Sequence, residues 1–325
     1  MYLINFQSKN FITKFVGFLF LLFLIFLPFI MKAPYIKHVF IMVFIYAIVA
    51  ESWNILSGYT GQFSLGNAMF FGLGAYTSSI LLIKYNINPW IGMIIGGLIA
   101  ATFGIIIGSP VFRLRSHYFV IATLAINEIV MVIFLNWEYV NGARGLDLPL
   151  LPDSFKNMTF LYNKDGFYFI SLAFLLFVTY IIYKIITSKI GYYFKTIKGE
   201  EDAASSIGIN TVRYKLVAIS ITAFFTAAAG TIYAQYMLYI DPAMVLSSML
   251  SIKIVLIAAL GGVSTLFGPI IGAFILIPII EFTRVFFGGA GQGFDLLIYG
   301  ILVMLIALFR PFGLITLFKP GKNSQ

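Results

Sequence analysis

The sequence predicts an all-α integral membrane protein, a polytopic bundle of about ten transmembrane helices, and three observations carry that reading. Hydrophobic residues fill 61% of the 325 positions and charged residues only 10%, where a soluble domain carries about 25% charged residues. Apolar runs recur at lengths near the ~20 residues that a helix needs to cross a bilayer. The basic residues between those runs fall unevenly on alternate sides. With no stretch left over for a soluble catalytic domain, residues 1–325 read as a single transmembrane domain.

Spans are expected near 15–31, 37–57, 64–83, 90–110, 117–135, 167–187, 214–239, 248–261, 269–287 and 294–309. The first follows Lys9 and Lys14 and imitates a signal peptide, yet "IMKAPY" offers no small-x-small cleavage site, so it reads as a retained span. The eighth is short for a regular crossing. Ten crossings put thirteen lysines and arginines on the side of both termini and six on the other, with Lys253 and Arg284 inside spans. That excess predicts cytoplasmic termini. Two connections exceed turn length: 136–166 outside, with Trp137 and Tyr139 suited to packing, and 188–214 inside, the most charged piece of the chain.

Composition also excludes function classes. The chain has no cysteine, which removes disulfides, thiolate metal sites and cysteine nucleophiles, and His38 and His117 are too few for an imidazole metal cluster. The net charge of +9 is scattered among apolar spans and forms no continuous basic face, so membrane lipid and not nucleic acid is the expected surrounding. No nucleophile-base-orienter set or pocket of paired carboxylates is visible, which argues against an enzyme. The phosphate-binding pattern G-x-x-x-x-G-K-[ST] is absent, and "GGAGQGF" at 288–294 lacks both its lysine and a preceding strand.

Within the spans, small residues mark helix contacts. Lipid supplies no hydrophobic force between helices, so close backbone approach becomes a main source of association. Gly92, Gly96, Ala100, Gly104 and Gly108 recur every fourth residue and draw one seam along the fourth span. A partner helix is expected in that groove. The stretch "GYTGQFSLGNAMFFGLGAY", 58–76, adds Gln62, Ser64 and Asn67 to its glycines. Irregular backbone at membrane depth is tolerated only where protein or a water-filled cavity satisfies it. A second interruption lies at Gly261, Gly262 and Pro269. Both read either as linings of a translocation pathway or as tight turns at the membrane face. Glu51, Glu128, Lys253, Glu281 and Arg284 fall inside spans, where each costs about 3 kcal/mol or more if unpaired and facing lipid. Glu281 and Arg284, three apart, are expected to pair. Glu51 or Glu128 is expected to pair with Lys253, the alternative being a proton relay in an ion-coupled secondary transporter.

In the inner loop, "GEEDAASSIGIN" reads as one short helix: Glu200, Glu201 and Asp202 favour its positive amino end, Ala203 and Ala204 propagate it, and Gly208 caps it. Too short to persist alone, it either packs as an ordinary connector or offers the small face of Ala203, Ala204 and Ser205 to a partner's cleft.

Asp202-Ala203-Ala204-x-x-x-Gly208 resembles the Glu-Ala-Ala-x-x-x-Gly coupling loop by which importer permeases of the ATP-binding-cassette (ABC) class dock onto their ATPases. With the 58–76 stretch, "RLRSHYFVIATLAINEI" at 113–129, "IGINTVRYKLVAISITAFFTAAAGTIYA" at 207–234, "LGGVSTLFGPIIGA" at 260–273 and "RPFGL" at 310–314, the chain resembles the LivM-like branched-chain amino-acid permeases over nearly its whole length. It departs in Asp202 for the usual glutamate, in lacking the leucine-proline ending, and in "RSHYF" where a glycine is expected. The resemblance implies the ABC importer permease fold in a bacterial or archaeal cytoplasmic membrane. It implies a related second permease subunit in a heterodimer, two cytoplasmic ATPases, and a soluble binding protein delivering substrate outside. It implies that this chain binds no cofactor, ATP and Mg residing on the ATPases. Similar permeases also serve urea, short amides and other amino acids.

Overall fold

The computed structural model describes residues 19, 22–30, 33–114, 116–160, 164–286, 300, 304, 313 and 314. Among them, eight helices are long and apolar enough to cross a membrane. Most of the expected last span at 294–309, the 288–294 turn, most of 310–314 and the terminal lysines lie outside the described residues, as does much of 15–31, although 22–30 is helical.

Helix α1 (Pro34–Trp53) continues into a π-helical turn at Asn54–Tyr59. Then come α2 (Asn67–Tyr85), α3 (Pro89–Val111) and α4 (Ser116–Asn136), followed by α5 (Asp165–Thr187), α6 (Lys189–Gly199) and α7 (Glu201–Ser206). The chain continues through α8 (Thr211–Met237), α9 (Pro242–Val245), α10 (Ser248–Gly261) and α11 (Gly268–Phe286). Local chemistry sets these starts. Pro34, Pro89 and Pro242 occupy first-turn positions where the missing N–H costs nothing. Asn88, Asn210, Asp241 and Ser247 each accept a backbone N–H at a helix start. The eighth expected span gains its length from α9, which with α10 makes a 20-residue segment, Pro242–Gly261.

Helix α1 is the axis of the bundle, its apolar window 94% buried among α5, α8, α10 and α11. On the other side of α8, helices α2 and α3 complete a layer built on small residues. The seam residues Gly92, Gly96, Ala100, Gly104 and Gly108 are all buried. They face α2 and α8: a Cβ on Gly92 would lie 3.1 Å from Ser78, one on Gly96 3.3 Å from Gly74, and one on Gly104 3.4 Å from Ala223. Tighter still is Gly74, where a Cβ would lie 2.0 Å from the Ala227 carbonyl oxygen.

At the end of the bundle opposite α6 and α7, residues 136–160 of the connection fold back on the helices. Its strand β1 (Leu146–Asp147) pairs antiparallel with β2 (Tyr239–Ile240). The Trp90 indole donates to Phe155 O (2.8 Å) and Lys84 donates to Tyr139 O (2.9 Å). Lys37 and Asp165 form an ion pair there, and Glu281 pairs with Arg284 at 3.4 Å and lies 3.7 Å from His38, whose other ring nitrogen is 2.6 Å from the Tyr236 hydroxyl.

The expected pairing of Glu51 or Glu128 with Lys253 is corrected. Glu51 accepts the Thr179 hydroxyl at 2.7 Å, Glu128 accepts that of Ser248, and the Lys253 ammonium sits 3.9 Å from the Tyr46 ring centroid. A hydroxyl presented from a neighbouring helix gives each carboxylate one donor without a second charge, and an aromatic face stabilises an ammonium.

Candidate functional site

Three features combine into a candidate transport apparatus: the short helix α7, the meeting of the two interrupted segments, and one polar place on the exposed side of α4.

Helix α7 forms where the sequence predicts a helix, and Gly208 follows it at φ +87°, a left-handed conformation that suits glycine. Glu200 precedes the helix and accepts the Ala204 N–H at 3.0 Å through its carbonyl. Glu201 is spent inward, paired at 2.5 Å with Lys215, a lysine only 1% exposed on α8. Clamping at Glu201 rotates α7 so that its small face is divided. Ala204 is completely buried against the chain itself, while Asp202, Ala203, Ser205 and Ser206 remain exposed. The expectation that Ala203, Ala204 and Ser205 enter a partner's cleft together is therefore corrected: Ala204 is an anchor. Ile207, 72% exposed beside this face, escaped the sequence reading. Its signal was an apolar residue placed between a helix end and the capping glycine.

The two interrupted segments touch each other. Asn54 donates to Thr265 O (2.9 Å) and accepts the Ser264 N–H (2.8 Å), and the Ser264 hydroxyl donates to Gly58 O (2.7 Å). Gly58 has no room for a side chain, since a Cβ there would lie 1.9 Å from Asn54 Oδ1. Gly61, at φ +75°, lies under the stem of Lys198 from α6, whose ammonium donates to Ser264. Desolvation at this junction holds the Lys198 ammonium below the ordinary lysine range. Lys198 thus binds both interruptions to the helix that leads into α7. Gly261 makes a close backbone crossing, its Cβ position 1.7 Å from Gly268 O, and Gly262 follows at φ +130°.

The amide-bearing stretch divides by role. Ser64 is 1% exposed and is consumed locally: its carbonyl accepts the Trp53 indole N–H (2.8 Å) and its hydroxyl the Gly66 N–H (3.2 Å). Gln62 is half-buried, and its backbone closes the turn with Leu56 and Ser57. Asn67 differs from both. It is wholly buried, and neither atom of its amide has a hydrogen-bond partner among the described residues. Leu65 N–H donates to Thr123 on α4 (3.1 Å) and Ala68 N–H donates to Ser251 on α10 (3.0 Å), which fixes Asn67 between those helices. One turn along α4 from Thr123, Asn127 is also buried; its amide N donates to Leu246 O (2.8 Å) and its Oδ1 has no partner among the described residues. Next to it Glu128 is exposed, near the middle of a span.

Comparison with known proteins adds identity to this geometry. The sequence model of the family described as branched-chain amino acid transport system / permease component matches residues 35–308. The chain belongs to this family. Its relatives include the high-affinity branched-chain amino acid transport system permease protein LivM of Escherichia coli K12, 30% identical over 301 residues that cover 86% of this chain and 69% of that protein. A probable LivM of Methanocaldococcus jannaschii is 23% identical, with 83% and 90% covered. LivH of Escherichia coli K12, a second permease protein of the same kind of system, is 26% identical, with 71% and 79% covered. No solved structure matches the chain. The family is one of transport permeases, and this chain is a LivM-like, multi-pass membrane permease of it.

Proposed function

We propose that this chain is one of two related permease subunits of an ATP-driven importer that carries branched-chain amino acids across the cytoplasmic membrane. Two cytoplasmic ATPases, holding ATP and Mg, dock at α7, and a soluble binding protein delivers substrate at the opposite end. Both termini lie with α7 on the cytoplasmic side. The observation that carries this reading is the continuous likeness of residues 35–308 to permeases named for that transport. That relatives carry both the LivM and LivH names supports a heterodimer.

The geometry supports a route for coupling. An ATPase that grips Asp202, Ala203 and Ile207 moves α7, and the Glu201–Lys215 pair and Lys198 pass that movement to α8 and to the two interrupted segments. Because packed interfaces switch between discrete arrangements rather than deforming smoothly, such a displacement can change which side the route opens to.

The test is purification of the chain from its native membrane in mild detergent with identification of what accompanies it, followed by leucine uptake in vesicles loaded with ATP. The expected result is a second permease, two ATPases and uptake that requires hydrolysable nucleotide. Uptake driven by an ion gradient with no ATPase present overturns the reading.

A further inference from the structure

Helix α4 is the least buried of the eight spanning helices, with 28% of its apolar window covered. Its exposed stripe runs Ile121, Ala125, Glu128, Ile129, Val132. A carboxylate halfway along such a stripe is out of place against lipid, and among the described residues the one hydroxyl that meets it, from Ser248, leaves most of its four acceptor positions open. Behind it, Asn127 Oδ1 and both amide atoms of Asn67 are buried and unspent among the described residues. Buried amides ordinarily find partners. The start of α2 meets α4 at Leu65–Thr123 and α10 at Ala68–Ser251, and α4 meets α10 at Glu128–Ser248, so a carboxylate, two amides and serine hydroxyls lie around one junction, and the polar atoms in excess are mainly acceptors.

We propose that Glu128, with Asn127 beside it on α4 and Asn67 on the neighbouring α2, is the place where the chain holds the ammonium group of an α-amino acid as it crosses. An ammonium carries three donors and no acceptor. It suits a carboxylate flanked by amide oxygens, and the Asn67 amide N–H remains for the carboxylate end of the same zwitterion. The apolar stripe around Glu128 accommodates an aliphatic side chain. Glu128 therefore faces a water-filled route closed on its far side by the second permease subunit. This proposal rests on the amino-acid import reading above.

The test uses the complete importer in proteoliposomes with leucine as probe. Glu128→Gln is expected to lower ATP-driven leucine uptake about tenfold or more, the loss of a charge-assisted hydrogen bond, with subunit assembly unchanged. A second measurement separates a binding role from a structural one. In a chain without native cysteine, Ala125→Cys should react about tenfold or more faster with a cationic than with an anionic methanethiosulfonate. Saturating leucine should slow the reaction, Glu128→Gln should equalise the two rates, and Glu128→Asp should retain the preference. Equal rates with Glu128 present, no reaction in any nucleotide state, or parental uptake by Glu128→Gln overturns the proposal. A parent assembly that shows the cation preference but takes up no leucine, isoleucine or valine refutes the substrate reading and supports a site for some other ammonium compound.

Discussion

Helices α3 and α4 are adjacent in the chain, similar in length and almost equally apolar, with 33% and 28% of their windows buried, yet they face different surroundings. Every buried position of the α3 seam is small, and its exposed face is aliphatic: Ile91, Ile94, Leu98, Ile105 and Ile106. The hydroxyl of exposed Thr102 is turned back to Leu98 O (2.8 Å). Nothing on that face asks for water. On α4 the buried side carries Thr123 and Asn127 and the exposed side carries Glu128. Hydropathy averages these helices to nearly the same value, and only the position of each polar atom separates a lipid face from a route.

The largest effect comes from the close-packed layer that α3 joins, where Gly74 of α2 meets α8. Gly74→Leu should abolish recovery of folded permease, because even its Cβ would lie 2.0 Å from Ala227 O and the helices must part. Detergent-extracted yield and melting behaviour check this; a variant that melts like the parent removes the close-packed layer from the account. Next, exchanging the exposed faces sharpens the contrast. Leu98→Glu places a carboxylate on the α3 lipid face and should cost about 3 kcal/mol, roughly a hundredfold, in membrane insertion. Glu128→Leu should leave insertion unimpaired while transport fails. If both changes insert alike, the two faces are not distinct.

A smaller and more local effect is expected at α7. Ala203→Lys should reduce co-purification of the ATPases and uptake by about tenfold, a loss of ~1.4 kcal/mol of docking, in a permease that is otherwise intact. Ala204→Lys should instead damage the fold, since Ala204 is wholly buried. Identical behaviour of the two variants would remove the distinction between docking face and anchor. Smallest of all, Asn88→Ala removes the cap that accepts the Trp90 N–H and the bond to Lys156 O, and should cost about 1 kcal/mol, read as a modest fall in melting temperature with transport retained.

Much of this was legible from local pattern. The spans follow from apolar runs, the α3 seam from a four-residue period in small side chains, and α7 with its Gly208 cap from acidic residues before alanines. What stayed hidden depends on contacts between distant positions. Ser264 reaches Gly58 and Lys198 across separations of 206 and 66 residues, and no window of sequence shows that the two glycine interruptions hold each other. The rotation of α7 depends on Lys215, 14 residues away from Glu201, so three small residues that look equivalent divide into one anchor and two exposed positions. Glu51 and Glu128 look alike as intramembrane acids, but one is 1% exposed against Thr179 and the other opens to the outside of the fold.

The difference between α3 and α4 is most directly measured by nitroxide labels on single cysteines at Leu98 and Ala125 in the assembled importer, with accessibility to oxygen and to a water-soluble nickel chelate compared in each nucleotide state. The label at Leu98 should meet oxygen and exclude nickel throughout. The label at Ala125 should admit nickel in at least one state. Exclusion of nickel at Ala125 in every state, indistinguishable from Leu98, would contradict a water-filled route along α4.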